Sequence, residues 1–128
     1  MRVLLDTHAL LWSLFDEIKL PPATRSLVRS LETEVFVSAA SAWEVATKYR
    51  LGRLPGAESL AGDFSNYIAK LGFCGLEVTI EHAQRAGLLP GSHKDPFDRM
   101  LIAQAQAENL PLISNEQIFD EYHIRRIW

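Results

Sequence analysis

"RVLLDTHALLWSLF", residues 2–15, joins a short apolar run directly to a stretch of helical spacing, with Asp6 at the junction. Val3-Leu4-Leu5 shows no polar alternation, as expected of a strand buried on both faces. "THALLWSLF" then places apolar residues along one side of a helix. A strand that runs straight into a helix is the first half of a βα unit, and the same order recurs outward from it. Pro21-Pro22 opens a predicted helix through about Leu31, followed by the strand "EVFVS". "SAWEVATKYRLG" reads as a helix starting near Ser38 or Ser41 and closed by Gly52. A single helix is expected over "SLAGDFSNYIAKLG", then a strand "LEVTI" and a short helix "EHAQRAGLL". The loop "PGSHK" precedes a helix from about Pro96 to Asn109, a strand "LPLIS" and a fifth strand in "HIRRIW". The pattern predicts an α/β fold in three layers, a short parallel sheet of four to five strands flanked by helices. Such sheets bind ligands beyond the carboxyl ends of their strands, where the strand order reverses.

The bulk composition agrees. With 128 residues, 48% hydrophobic and 23% charged, the chain is expected to form one domain over residues 1–128. Its lone cysteine, Cys74, excludes an internal disulfide and suits a reducing cytoplasm. Asp6 and His8 interrupt the apolar start, so it cannot act as a signal-peptide core, and no stretch approaches a membrane span. A net charge of −3 disfavours a simple nucleic-acid binder, which needs cations against phosphates. It disfavours a nuclease less, because a bound cation would offset acids gathered in one pocket.

Four acids fall near strand ends: Asp6, Glu44, Asp98 and Glu116. Each has a purely local explanation. Asp6 or Thr7 could cap the first helix. Ser41 and Glu44 fit a capping box, unless the helix begins at Ser38 and leaves Glu44 beyond the first turn. In "DPFD", Asp95 fits the N-cap, Pro96 the first helical position, and Asp98 the first turn. One acid satisfies that helix end, so Asp95 is assigned the cap and Asp98 is left for chemistry. Glu116 could likewise begin the turn "EQIFDEY". Together, however, they would project into one crevice, and four unpaired carboxylates repel unless a cation sits among them. An oxygen-rich donor set favours Mg²⁺, or Mn²⁺ in its place, over zinc. His8 and His93 are read as solvated or orienting residues.

"LLDTHALLW", "SAWEVATKYRLGRL", "HKDPFDRMLIAQA" and "LPLISNEQIFDEY" together resemble PIN-domain proteins of the VapC toxin type. The likeness spans nearly the whole chain, and "DPFDRMLIAQA" is its most specific segment. It implies a PIN-like fold, a Mg²⁺-dependent endoribonuclease acting on single-stranded or structured RNA, a VapB-type antitoxin partner and a homodimer. Carried over by position, it names Asp6, Glu44 and Asp98 as catalytic and metal-binding acids. The fourth position usually reads Thr-x-Asp. Here Ser114-Asn115-Glu116 keeps a hydroxyl but carries an acid one methylene longer. The implied chemistry is phosphodiester hydrolysis by water activated at the ion, with a second ion about 3.5–4 Å away if two bind.

RNA contacts are expected from Lys48, Arg50, Arg53, Lys94 and Arg99, with Arg125-Arg126 as further cations. Lys48, Arg50 and Arg53 would equally suit a helix C-terminus, and Arg99 a salt bridge to Asp98. Trp12, Trp43 and Phe97 could stack bases or belong to the core. A haloacid-dehalogenase-like phosphatase needs an acid where His8 stands. A phosphoacceptor receiver domain needs an aspartate after "LEVTI", which has none. The remaining alternative is a PIN-like or receiver-like acidic Mg²⁺-binding module that binds a partner or RNA without cutting it.

Overall fold

A computed structural model describes residues 1–128. Five parallel strands form one sheet in the order β3-β2-β1-β4-β5. They are β1 (Arg2–Leu5), β2 (Glu34–Ser38), β3 (Cys74–Leu76), β4 (Leu112–Ile113) and β5 (Arg126–Ile127). The helices are α1 (Thr7–Phe15), α2 (Pro22–Arg29), α3 (Ala39–Arg50), α4 (Glu58–Gly62), α5 (Phe64–Lys70), α6 (Ile80–Leu88) and α7 (Pro96–Glu108).

The unbroken apolar run of β1 serves both faces of the sheet. Val3 and Leu5 pack with Leu10 of α1, Val28 of α2 and Ile68 of α5. Leu4, between them in sequence, packs the other way against Leu101, Ile102 and Ala105 of α7 and against Phe119. Two cores on opposite faces give the three expected layers. The order reverses at β1, flanked by β2 on one side and β4 on the other. The switch point therefore lies just beyond Leu5 and Ile113, and Asp6 donates its backbone N–H to the Ile113 carbonyl at 3.1 Å.

Several sequence expectations need correction. α2 stops at Arg29, with Ser30 already extended and Leu31 fully exposed. The single helix expected over "SLAGDFSNYIAKLG" is two, broken at Asp63 (φ −149°, ψ 61°), which joins α4 to α5. The third strand is Cys74–Leu76, and only Leu76 of "LEVTI" belongs to it. Thr79 leaves the sheet because its hydroxyl caps α6, accepting from the His82 N–H at 3.1 Å. "LPLIS" contributes only Leu112–Ile113 to the sheet, and "HIRRIW" only Arg126–Ile127. Side-chain capping overrode strand propensity at Thr79.

α3 begins after Ser38, whose hydroxyl accepts from the Ala40 N–H at 2.9 Å. Ser41 is therefore no cap, and Glu44 lies in the second turn rather than the first. No helix is long and apolar enough to cross a membrane.

Candidate metal centre at the strand switch point

Asp6 ends β1 and caps α1, its Oδ1 accepting from the Ala9 N–H at 2.7 Å. One oxygen of a carboxylate has two lone-pair sites, so capping leaves acceptor capacity unspent. Burial pushes Asp6 up to about 6, while the Ser114 hydroxyl and the Ala9 N–H pull the other way and Glu116 pushes further up. No lysine or arginine pairs with it.

Across the switch point, Asp95 and Asp98 divide as expected. Asp95 is the N-cap of α7, accepting from the N–H groups of Phe97 at 2.9 Å and Asp98 at 3.2 Å. Asp98 makes no cap. Its Oδ2 lies 2.8 Å from His93 Nε2. Burial pushes Asp98 up to about 6; His93 draws it down, and the charges of Asp95 and Glu116 raise it. Glu116 follows β4, and its N–H donates to the Ser114 hydroxyl at 3.0 Å. Its carboxylate caps nothing, and His8 Nδ1 lies 3.4 Å from it. One donor atom each from His93, Asp98 and Glu116 lie within 4.8 Å of one another.

Glu44 differs. At 4% exposure it accepts from the Thr7 hydroxyl at 2.7 Å and pairs with Lys48, one turn on along α3. Thr7 also meets the Ser41 hydroxyl at 3.0 Å. Glu44 thus abuts the residue that follows Asp6, but lies outside the His93–Asp98–Glu116 group. The structure brings Asp98 and Glu116 together with His93; Asp6 lies outside that group but feels the charge of Glu116, and Glu44 is held in its own ion pair.

The donor set suits a divalent cation. Carboxylate oxygens are hard ligands, one imidazole nitrogen widens the range, and the absence of any Lys or Arg partner leaves the charge uncompensated. Other assignments shift. Arg99 neither pairs with Asp98 nor points to solvent: its guanidinium donates to the carbonyls of Ala86 at 3.2 Å, His93 at 3.0 Å and Leu89. Arg126 pairs with Asp120 and donates to the Ser114 carbonyl at 3.0 Å. Arg50, Arg53, Lys94 and Arg125 remain exposed. Trp12 stacks on His8 and meets Trp128, whereas Trp43 is 64% exposed and packs edge-on against Phe97.

Sequence reasoning treated His93 as an accessory and missed its convergence with Asp98 and Glu116. The available signal was its place in "GSHKDPFD", a loop short enough to fold the ring back onto the first turn of α7.

Residues 3–124 match the PIN domain family. The chain belongs to that family. Ribonuclease VapC16 of Mycobacterium tuberculosis is 40% identical over 63 residues, covering 49% of this chain and 43% of that protein. The match thus spans less than half the length of that curated relative. Two solved structures share the fold over almost their whole length. DNA-bound VapBC from Salmonella typhimurium gives a TM-score of 0.71 at 17% identity, covering 99% of this chain and 97% of that one. VapBC2 from Rickettsia felis, bound to a DNA fragment from its promoter, gives 0.67 at 14% identity, covering 99% and 98%. The fold explains why Asp98 and Glu116 meet: Glu116 follows the carboxyl end of β4, and the first turn of α7 carries Asp98 to the same side of the sheet.

Proposed function

We propose that this PIN domain is a divalent-metal-dependent endoribonuclease and the toxin of a type II toxin–antitoxin pair. The observation that carries the reading is the set of carboxylates at the switch point, Asp6, Asp98 and Glu116, none paired with Lys or Arg. The partial match to a protein named ribonuclease VapC16 supports RNA as the substrate class. Asp6, Asp98 and Glu116 would hold the ion. Glu44, held by Thr7 and Lys48, would serve the site through water bound to the ion or through a second ion, once Lys48 turns away from it. When bound, Mg²⁺ or Mn²⁺ supplies Lewis acidity and lowers the pKa of an attacking water.

The chain's own part is positional. Asp6 is fixed by its bond to Ala9 and Asp98 by the first turn of α7, so both carboxylates are pre-arranged before any substrate arrives. Exposed Lys94, Arg50 and Arg53 would meet RNA phosphates and set register without reading sequence. Glu116, longer than the aspartate usual at that place, would reach the ion from just beyond the end of β4.

The partner proposed is a VapB-type antitoxin, supported by solved relatives that are themselves VapBC complexes. A cleft of about 450 Å³ lined by Ala40, Trp43, Val78, Ala86, Phe97 and Met100 offers apolar surface that reaches the first turn of α7, the turn that carries Asp98. An amphipathic helix laid there could direct a basic side chain among the acids. A homodimer and a cytoplasmic setting, in keeping with the free Cys74, complete the proposal.

The test is cleavage of single-stranded RNA with Mg²⁺ or Mn²⁺ by the wild type and by Asp98→Asn. The reading requires metal-dependent cutting by the first and none by a folded form of the second. Equal activity in both sinks it. Metal binding without cleavage of any RNA would instead favour the non-cutting module.

A further inference from the structure

The loop between α6 and α7 is short and has no regular structure, yet one of its residues is held on every side. The His93 N–H donates to the Tyr122 hydroxyl at 3.2 Å, and the His93 carbonyl accepts from Arg99 at 3.0 Å. The same guanidinium holds the carbonyls of Ala86, at 3.2 Å, and Leu89, so the loop is tied to α7 from both ends. Gly91 has φ +98°, and a Cβ there would meet the Tyr122 hydroxyl at 2.7 Å. Only glycine lets the chain pass so close to Tyr122. The His93 ring also packs edge-on against Phe119, 6.3 Å between centroids. None of these contacts involves a site carboxylate, and together they fix where the imidazole points.

It points at the acids. Nε2 lies 2.8 Å from Asp98 Oδ2, and His93, Asp98 and Glu116 each bring one donor atom within 4.8 Å of the others. Neighbouring donors on an octahedral ion with bonds of ~2.1 Å stand ~3 Å apart, and opposite ones ~4.2 Å. The observed limit of 4.8 Å is a few tenths of an ångström wider than that span, so a small inward movement of these side chains would bring all three onto one ion.

We infer that His93 is a direct nitrogen ligand of the ion held by Asp98 and Glu116, and that it biases the centre toward Mn²⁺ over Mg²⁺. The inference rests on the reading of this site as a divalent-metal centre. Its chemistry is simple. Mg²⁺ prefers oxygen donors and keeps its waters, so an imidazole adds little to its binding. First-row transition ions bind imidazole more strongly, and Mn²⁺ is the one that also accepts a mainly carboxylate set. The competing role for His93 is that of a hydrogen-bond partner orienting Asp98 from outside the coordination sphere.

The experiment is pulsed electron paramagnetic resonance on the protein loaded with Mn²⁺, beside calorimetric titrations with Mn²⁺ and with Mg²⁺. Nitrogen modulation from a coordinated imidazole is expected in the wild type and in His8→Gln, and is expected to vanish in His93→Gln. In the titrations, His93→Gln should lose on the order of tenfold in Mn²⁺ affinity and far less in Mg²⁺ affinity. Bound Mn²⁺ without nitrogen modulation in the wild type overturns the inference and leaves the metal centre standing. Nitrogen modulation that survives in His93→Gln but not in His8→Gln assigns the ligand to His8 and likewise overturns it. Failure of the wild type to bind Mn²⁺ at all removes both the inference and the metal reading. Because the wild-type spectrum decides the main question, a His93 variant that does not fold cannot rescue the idea.

Discussion

Two sides of one crevice treat buried acid in opposite ways. On the α3 side, Glu44 is nearly inaccessible yet satisfied, with Thr7 donating to one oxygen and Lys48 closing the other. On the β1–β4 side, Asp6 and Asp98 are pushed up to about 6 by burial; Asp6 has the Ala9 N–H and the Ser114 hydroxyl, Asp98 has His93, and neither has a lysine or arginine. Burying a carboxylate is costly unless it is paired. The α3 side removes that cost with residues of this chain. The other side leaves it outstanding, and in the proposed metal centre a cation from solution would remove it. Proximity of acids alone therefore does not define the centre; the missing lysine does.

The largest expected effect comes from breaking the uncompensated side. Asp98→Asn should lower metal-dependent RNA cleavage by roughly a thousandfold or more, since it removes a proposed ligand of the ion that would offset charge developing in the transition state. Circular dichroism should show the fold intact. Next comes the compensated side. Lys48→Met leaves Glu44 buried beside Thr7 alone and should cost about 1–3 kcal/mol, less than a fully buried pair because Lys48 is partly exposed. Urea unfolding of the two single variants and the Lys48→Met/Glu44→Gln double variant would measure it, with the double variant recovering much of the loss.

A third contrast uses pH. In the metal-free protein Asp6 and Asp98 stand at about 6 against an ordinary value of 3.8, so the folded state holds protons that the unfolded chain has released. Stability then falls as pH rises from about 4 to about 6 and stays low above that. The urea midpoint of metal-free protein should be higher near pH 5 than near pH 7.5, and saturating Mn²⁺ should flatten or reverse that slope. Smaller still, Gly91→Ala should cost about 1–2 kcal/mol through its positive φ and its approach to Tyr122. The smallest effect belongs to Asp95→Asn: asparagine caps as well as aspartate, so a change of a few tenths of a kcal/mol is expected, with metal binding retained.

Much of this was legible in the chain. "RVLLD" carried the layering, because an apolar run without alternation must be covered on both faces. "DPFD" separated cap from surplus acid, since one helix end needs one cap. The rest was not legible, for physical reasons. Thr79 and Asp63 end elements by local hydrogen bonds and backbone geometry that compete with apolar patterning. The Glu44–Lys48 pair was visible as a spacing of four, but nothing in sequence said that Lys48 would turn toward the acid and not toward RNA. Arg99 looked like a surface cation and is instead a brace for the loop that carries His93. Those contacts depend on elements far apart in sequence, and only the folded chain brings them together.

The most direct test is the melting temperature of wild type and Asp98→Asn near pH 7.5, each with and without saturating Mn²⁺. The account predicts that the ion raises the melting point of the wild type by several degrees, that Asp98→Asn melts higher than the wild type without metal, and that Mn²⁺ barely moves the variant. An ion that leaves the wild type unmoved, or a metal-free variant less stable than its parent, would contradict it.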